Sequence, residues 1–132
     1  GKRGAPTLEG IVVNAKWAPA NEPFMIAFVK ALNRANEEYK ATGKSWTPDS
    51  PQTKAMAKWT KADPKDVGPA MTLYSFPTYA EQLSPTWLGG GAAKAMANTA
   101  VFLKEQGRVQ EVKPDYSAFV TTTYVEKAMA AK

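Results

Sequence analysis

The chain has 132 residues, of which 44% are apolar and 22% charged, a balance typical of one globular domain. Seventeen basic and twelve acidic residues give a formal charge of +5. The sequence contains no Cys and no His, which excludes disulfides, thiolate metal sites, Cys nucleophiles and the commonest general base. No run approaches the ~20 apolar residues that span a bilayer. We therefore expect no catalytic residues, no metal site and no cofactor.

The strand signal of this sequence lies at residues 10–13, Gly-Ile-Val-Val, a short β-branched run that ends at polar Asn14. Nothing later in the sequence resembles a partner strand. A lone buried strand would leave its backbone N–H and C=O groups unpaired. We therefore expect Ile11–Val13 to pair either with another copy of the chain or with the rest of a larger protein.

Helix-start signals divide the first half of the chain. A helix is predicted over Asn21–Thr42, with Pro23 in its first turn, and shorter helices are predicted after Ser50-Pro51 and after Asp63-Pro64. The apolar side chains predicted to face inward are Phe24, Phe28, Leu32, Tyr39, Ala55, Met56, Trp59, Val67, Ala70, Met71 and Tyr74.

The second half is predicted to contain an irregular region and two further helices. The irregular region runs from Ser75 to the glycines at 89–91, and a long helix follows to Gln106, closed by Gly107. A terminal helix is predicted over Tyr116–Ala130. The long helix is expected to bury Ala93, Met96, Ala97, Ala100, Val101 and Leu103. The predicted fold class is mainly α, with one short strand and about five helices.

Two local patterns have both an ordinary and a functional interpretation. The glycines at 89–91 precede a helix and could bind an anion, but they lack the Lys-Ser/Thr of a P-loop, so we favour a turn. Lys54, Lys58, Lys61 and Lys65 are spaced by three or four residues and form a basic stripe. A solvated helix face is the interpretation we favour over a nucleic-acid surface.

Four tryptophans and one acidic residue are candidates for ligand contacts. Trp17, Trp46 and Trp87 lie near Pro or Gly in predicted loops, whereas Trp59 is predicted to be in the core. Glu9 stands immediately before the predicted strand, where a carboxylate could pair with a ligand cation. The residues alone favour an ordinary surface position for Glu9.

Three segments resemble taurine-type periplasmic substrate-binding proteins, in the same order along the chain. Residues 4–13, GAPTLEGIVV, resemble the family pattern Gly-Ala-Pro-Thr-Leu-acid-x-x-Val-Val. Residues 99–109, TAVFLKEQGRV, are similar to Thr-Ala-x-Phe-Leu-Lys-Glu-Gln-Gly-Lys-Val, and residues 115–121, DYSAFVT, to Asp-Tyr-Ser-x-Tyr-Val-Thr. The likeness is weakest between Asn36 and Pro64 and at the triple glycine.

The resemblance implies a place for the chain within a larger fold. Residues 1–132 would form a single C-terminal segment of the first lobe of an α/β, two-lobed type II periplasmic binding protein, with the N-terminal part of the receptor absent. The strand at Ile11–Val13 would be the crossover strand, and its sheet partners would belong to that absent part. The implied localisation is periplasmic.

The resemblance also implies a function without catalysis. The chain would belong to the solute-binding component of an ABC importer for taurine, sulfonates or related small solutes. Its partners would be a sulfonate or amine-containing solute, the ABC permease, and the remainder of its own receptor or a second copy, with no nucleic acid. An alternative from another class is a self-contained basic helical module that binds nucleic acid or an acidic protein.

Three residues form the predicted ligand site. The resemblance implies that Glu9 pairs with the ammonium group of the ligand; the family pattern has Asp there, so this side chain reaches about one methylene further. Thr7, within the same motif, and Trp17, shortly after it, are the other two predicted ligand-binding residues.

Overall fold

The computed structural model describes residues 9–131, and within that range every regular element is helical. Five of the seven α-helices in that range have eight or more residues, which agrees with the number predicted. The α-helices are α1 (Trp17–Ala20), α2 (Glu22–Thr42), α3 (Pro51–Thr60), α4 (Pro64–Met71), α5 (Tyr79–Leu83), α6 (Gly91–Glu105) and α7 (Thr123–Ala130). No helix among the described residues is long and apolar enough to cross a membrane.

The prediction of a strand at residues 10–13 is wrong for this chain. The segment is irregular, and Ile11 and Val12 are 64% and 89% exposed. Within residues 9–131, the backbone of residues 9–13 makes no hydrogen bond. A strand exists only as part of a ladder, and the described residues offer no second strand for one. The β-branched composition is therefore present without the pairing that would make it a strand.

Two predicted helix ends that rest on local chemistry are confirmed. α4 begins at Pro64, where Asp63 Oδ1 accepts a hydrogen bond from the Lys65 N–H at 3.0 Å. α6 is closed by Gly107, which adopts a left-handed φ of 66°. The N–H of Gly107 bonds to the carbonyl of Lys104 at 2.9 Å, and the N–H of Arg108 bonds to that of Leu103 at 2.8 Å. This pair of bonds is the Schellman arrangement that satisfies the last carbonyls of a helix.

The predicted terminal helix over Tyr116–Ala130 is correct only in its second half. Asp115 accepts two hydrogen bonds from Ser117, one from the backbone N–H at 2.8 Å and one from the hydroxyl at 2.5 Å. These bonds hold a tight turn, and a short 3-10 helix follows at Ser117–Phe119. Local bonds of this kind compete with α-helix formation, as do the β-branched residues at 120–123. The α-helix accordingly begins at Thr123.

The predicted inward faces of α2 and α3 are partly wrong. On α2 the buried side chains are Met25 and Asn33, while Phe24 is 58% exposed and Leu32 is 37% exposed. On α3 the buried side chains are Thr53 and Ala57. Trp59 follows Ala57 by two positions, about 200° around the helix, so it is 81% exposed and not in the core. The other predicted inward residues that are exposed are Ala55, Ala70, Tyr74 and Val101.

The described chain divides into two compact units, the first of which combines the residues up to Lys30 with those from Tyr79 onward. Its buried apolar side chains are Ala18, Met25, Ala92, Ala100, Val125 and Ala128. α5 packs against α7. An ion pair between Lys127 and Glu22 joins α7 to the first turn of α2.

The second unit comprises residues 31–78, and α3 packs against α4 within it. Asn36 on α2 donates a hydrogen bond to the Pro77 carbonyl at 2.9 Å, and Gln52 donates to Glu38 at 2.7 Å. An aromatic cluster forms around Tyr39, whose ring meets those of Trp46 and Phe76 edge-on at 5.4 and 4.8 Å. Polar bonds and aromatic contacts therefore fasten this part of α2 to the following segments.

Replacing Gly107 tests the end of α6. Gly107→Ala places a Cβ at a left-handed φ, and we expect the free energy of unfolding to fall by about 1–2 kcal/mol. No atom lies within 4 Å of the added Cβ, so the effect isolates backbone conformation. Gly10→Ala is the matched control, since its Cβ also meets open space and its φ is not in the left-handed range. Urea unfolding followed by circular dichroism measures both; equal effects of the two substitutions would contradict the assignment.

The Asp115 turn predicts a pH dependence. Its hydrogen bonds from Ser117 hold the pKa of the Asp115 carboxyl below its ordinary value of 3.8. The ionised form is therefore favoured in the folded state, so the turn's contribution is present above pH 3.8 and is lost as the pH falls through the lowered pKa. In an NMR titration, Ser117→Ala should raise the Asp115 pKa towards 3.8. Ser84→Ala, which removes a hydroxyl that donates to the backbone carbonyl of Glu81, should leave the Asp115 pKa unchanged.

Candidate ligand-binding residues

The structure describes two of the three predicted ligand-binding residues. Thr7 lies outside the described range. Glu9 is exposed in the irregular segment before α1, and Trp17 is the first residue of α1. Seven residues lie between the two in sequence, and they include the exposed apolar residues Ile11 and Val12. Their roles as ligand contacts remain a prediction.

Asn14 fixes the start of α1 and with it the position of Trp17. Its side-chain oxygen accepts hydrogen bonds from the N–H groups of Lys16 at 2.9 Å and Trp17 at 3.1 Å. Its carbonyl accepts the N–H of Ala18 at 3.0 Å. The sequence analysis missed this role. The available signal was an Asn three residues before the Trp, the spacing at which a cap satisfies free helix N–H groups.

Trp17 begins an aromatic row that continues along the first turns of α2. The rings of Trp17 and Phe24 meet edge-on, with centroids 5.6 Å apart, and Phe24 stacks with Phe28 at 6.1 Å. Asn21 donates a hydrogen bond to the Trp17 carbonyl at 2.9 Å, which links α1 to the start of α2. Trp17 is 44% exposed and Phe24 is 58% exposed. Ring surface therefore remains open for an alkyl chain or a cation.

The other two loop tryptophans have structural roles. Trp46 packs against Tyr39, and its indole N–H donates to the Thr42 hydroxyl at 3.0 Å. The Trp87 backbone accepts the N–H of Ala92 at 2.8 Å and donates to the Ser84 carbonyl at 3.0 Å. The Trp46 indole is therefore engaged within the chain, whereas the bonds at Trp87 are made by its backbone rather than by its indole.

The triple glycine forms a turn, as favoured from the sequence. A Cβ on Gly91 would lie 1.9 Å from the Thr86 carbonyl oxygen, and one on Gly89 would lie 2.5 Å from that of Leu83. The Gly89 N–H bonds to the Ser84 carbonyl at 3.0 Å. Close backbone approach accounts for Gly89 and Gly91. The Gly89 N–H is already bonded and is not free to bind an anion.

Acidic neighbours partly neutralise the basic stripe. Lys54 pairs with Asp49 and Lys65 with Asp63, each at 3.0 Å. The Lys58 ammonium lies 5.7 Å from the centre of the Trp59 ring. Two of the four positive charges are thus compensated locally, as on a solvated face.

Neither a metal-binding cluster nor a surface groove adds a further site among the described residues. No group of three or more acidic side chains within residues 9–131 could hold a metal ion. An open apolar groove of about 490 Å³ lies at the end of α6, lined by Phe102, Leu103, Gln106 and Arg108. The sequence analysis did not identify this groove. Its single charged group and open shape give it little capacity to enclose a small solute.

Comparison with known proteins gives one informative similarity. The chain is 32% identical over 126 residues to the taurine-binding periplasmic protein of Escherichia coli (strain K12). The match covers 96% of this chain but 39% of that protein, so the chain spans well under half of its relative. No family model and no solved structure matches the chain. The chain is therefore similar along nearly its whole length to part of a periplasmic binding protein.

Removing the Asn14 side chain tests how Trp17 is positioned. Asn14→Ala abolishes both side-chain bonds at the start of α1, and caps of this kind contribute about 1 kcal/mol. We expect hydrogen exchange at the Ala18 amide to become roughly fivefold faster, since 1.4 kcal/mol corresponds to tenfold. Asn98→Ala on the exposed side of α6 is the control and should not change this rate. An Ala18 rate unaffected by Asn14→Ala would show that the cap does not hold α1.

Proposed function

We propose that this chain is part of a solute-binding protein that delivers taurine or a related small solute to an ABC importer. The observation that carries the proposal is the 32% identity that extends through 96% of the chain. A match of that extent involves nearly the whole sequence of the chain rather than one short motif. The relative's name supplies both the ligand class and the periplasmic location.

In this proposal Glu9 supplies the negative charge of the site. It precedes the apolar segment, and its carboxylate is exposed and available to a ligand ammonium. A charge-assisted hydrogen bond of this kind contributes about 1.5–3 kcal/mol when solvent is excluded. Thr7, two residues earlier in the sequence, supplies a hydroxyl to the same ligand.

Trp17 supplies the apolar wall of the proposed site. The Asn14 bond fixes the backbone of Trp17, and the edge-on contact with Phe24 orients its indole, which lowers the conformational entropy lost when a ligand binds. Its open ring surface suits the short carbon chain between an amine and a sulfonate. The groups that hold the sulfonate are assigned to the part of the receptor outside this chain.

The proposal places residues 1–132 as one segment of the first lobe, with the permease and the rest of the receptor as partners. The exposed apolar side chains support this placement. Ile11, Val12, Phe24, Trp59 and Leu73 are each more than half exposed, and the proposal assigns part of this apolar surface to contacts with the rest of the receptor. The proposed role is binding without catalysis.

The nucleic-acid alternative has less support. A phosphate-binding surface needs several uncompensated cations along one face. In this chain, Lys54 and Lys65 are already paired with acids at 3.0 Å. A salt titration of DNA binding distinguishes the two functions, because phosphate contacts make affinity fall steeply with salt.

Ligand binding should require more than this chain. We expect isothermal titration calorimetry to show weak or undetectable binding of taurine to the 132-residue chain, because a cleft must enclose most of a small ligand to bind it tightly. A chimera, in which this chain replaces the matched region of the Escherichia coli protein, should bind measurably. Micromolar affinity in the isolated chain would contradict the proposed division of the site, and a folded chimera that does not bind taurine or a related sulfonate would contradict the proposed function.

Glu9 is tested within that chimera. Glu9→Gln keeps the shape of the side chain but removes its charge, and we expect the dissociation constant to rise by about 10–100-fold. Glu105→Gln, at the exposed end of α6, makes the same change in net charge and should leave the affinity unaltered. Equal effects from the two variants would show that Glu9 acts only through the overall charge.

A further inference from the structure

Trp59, near the end of α3, has no role in the proposed solute site. It is 81% exposed and lies on the side of α3 away from the buried residues Thr53 and Ala57. Among the described residues its ring contacts no other aromatic ring and its indole N–H makes no hydrogen bond, whereas Trp17 and Trp46 both have ring partners. An indole left open in this way can enter a second surface.

The uncompensated positive charges of the basic stripe lie beside this indole in sequence. Lys54 and Lys65 are paired with acids at 3.0 Å, whereas Lys58 and Lys61 have no acidic partner among the described residues. The Lys58 ammonium lies 5.7 Å from the centre of the Trp59 ring. Lys61 directly follows the last residue of α3 and adopts a left-handed φ of 61°. One open indole and two open cations therefore share the end of one helix.

The exposure of Trp59 restricts the kind of partner that this end of α3 can bind. A small solute is held by a concave site that encloses most of it. An indole that is 81% exposed has few protein atoms around it to form such walls. The partner is therefore an extended surface that receives the indole and the ammonium groups together.

The two lysines favour a lipid surface over a protein surface. Tryptophan anchors protein interfaces by filling a pocket, but lysine is depleted from such interfaces, and its ammonium is strongly hydrated. At a membrane surface both side chains are favourable. The indole lies at the level of the headgroups, and the flexible lysine stems let the ammonium groups remain in water beside the phosphates.

We infer that Trp59, Lys58 and Lys61 form a peripheral contact with an anionic lipid surface. Each lysine near such a surface raises the affinity by about fivefold, and salt screens the effect. Two lysines and one indole therefore give a weak, reversible contact, which raises the concentration of the chain near a membrane without anchoring it. The contact involves none of the proposed solute-binding residues, so either proposal can fail without the other.

Vesicle flotation of the 132-residue chain tests this inference. Vesicles of equal parts phosphatidylglycerol and phosphatidylcholine should bind more of the chain than vesicles of phosphatidylcholine alone. Trp59→Ala should lower the partition coefficient by about tenfold, while circular dichroism shows an unchanged fold because the side chain is exposed. Phe102→Ala, which removes a ring that is 58% exposed on α6, is the matched control and should leave the partition coefficient unchanged. Equal losses in the two variants, or equal binding to the two kinds of vesicle, would overturn the inference.

Lysine variants separate local charge from overall charge. Lys58→Gln and Lys61→Gln should each lower the affinity for the anionic vesicles by about fivefold. Lys104→Gln on α6 makes the same change in net charge. It should have a much smaller effect in about 0.1 M salt, because charges more than about 10 Å from the lipid are screened. Equal effects of the three variants would contradict a contact at the end of α3.

Tryptophan fluorescence tests which indole enters the lipid. Anionic vesicles should shift the emission of the chain to shorter wavelengths, and Trp59→Phe should abolish most of that shift. A full shift in Trp59→Phe would overturn the inference in favour of another tryptophan. Single-stranded DNA is the competing probe, because bases also stack on an open indole. If the chain binds DNA more tightly than the anionic vesicles, and Trp59→Ala abolishes that binding, the partner is a nucleic acid and the inference is wrong.

Discussion

Small side chains fill the interior of this protein, and this constraint governs most of its other properties. Of the eight buried apolar residues in the described chain, five are alanines. Alanines let helices approach closely, but each buries little more than one methyl group, worth about 0.8 kcal/mol. Local contacts at helix ends, such as Asp63 at the start of α4 and Gly107 at the end of α6, therefore matter relatively more to its stability.

The same constraint explains which predictions from sequence succeeded. Helix ends were predicted well because they depend on residues that act on adjacent backbone, such as Pro64 and Gly107. Buried faces were predicted poorly because α2 is apolar over a broad arc. Periodicity defines that arc but not the line within it that meets a neighbour, and here Met25 is buried while Phe24 is exposed. The prediction that Trp59 is buried was wrong for a similar reason, because the buried side chains of α3 are the small residues Thr53 and Ala57.

Two other failures have a single physical origin, the competition between local and long-range hydrogen bonds. At residues 10–13 the composition favours a strand, but the long-range partner is missing from the described chain, so the backbone remains unpaired. At Asp115 the predicted helix loses to bonds that the carboxylate makes with Ser117 two residues away. Intrinsic propensity indicates which conformations a backbone segment favours, whereas the hydrogen-bond partners available to that segment determine which conformation it adopts.

Only part of the candidate site could be predicted from the sequence. The residues alone singled out Glu9 by its place before the predicted strand but favoured an ordinary surface position for it; the family resemblance supplied its assignment to a ligand. The structure adds a physical element that the sequence analysis missed, the capping of α1 by Asn14, which restrains Trp17 against Phe24. A restrained, half-exposed indole is useful to a ligand only if another surface closes over it. Under the proposed function, the half-exposed Trp17 ring and exposed apolar side chains such as Ile11 and Phe24 have one common explanation: each would be one half of a contact whose other half lies in the remainder of a longer receptor.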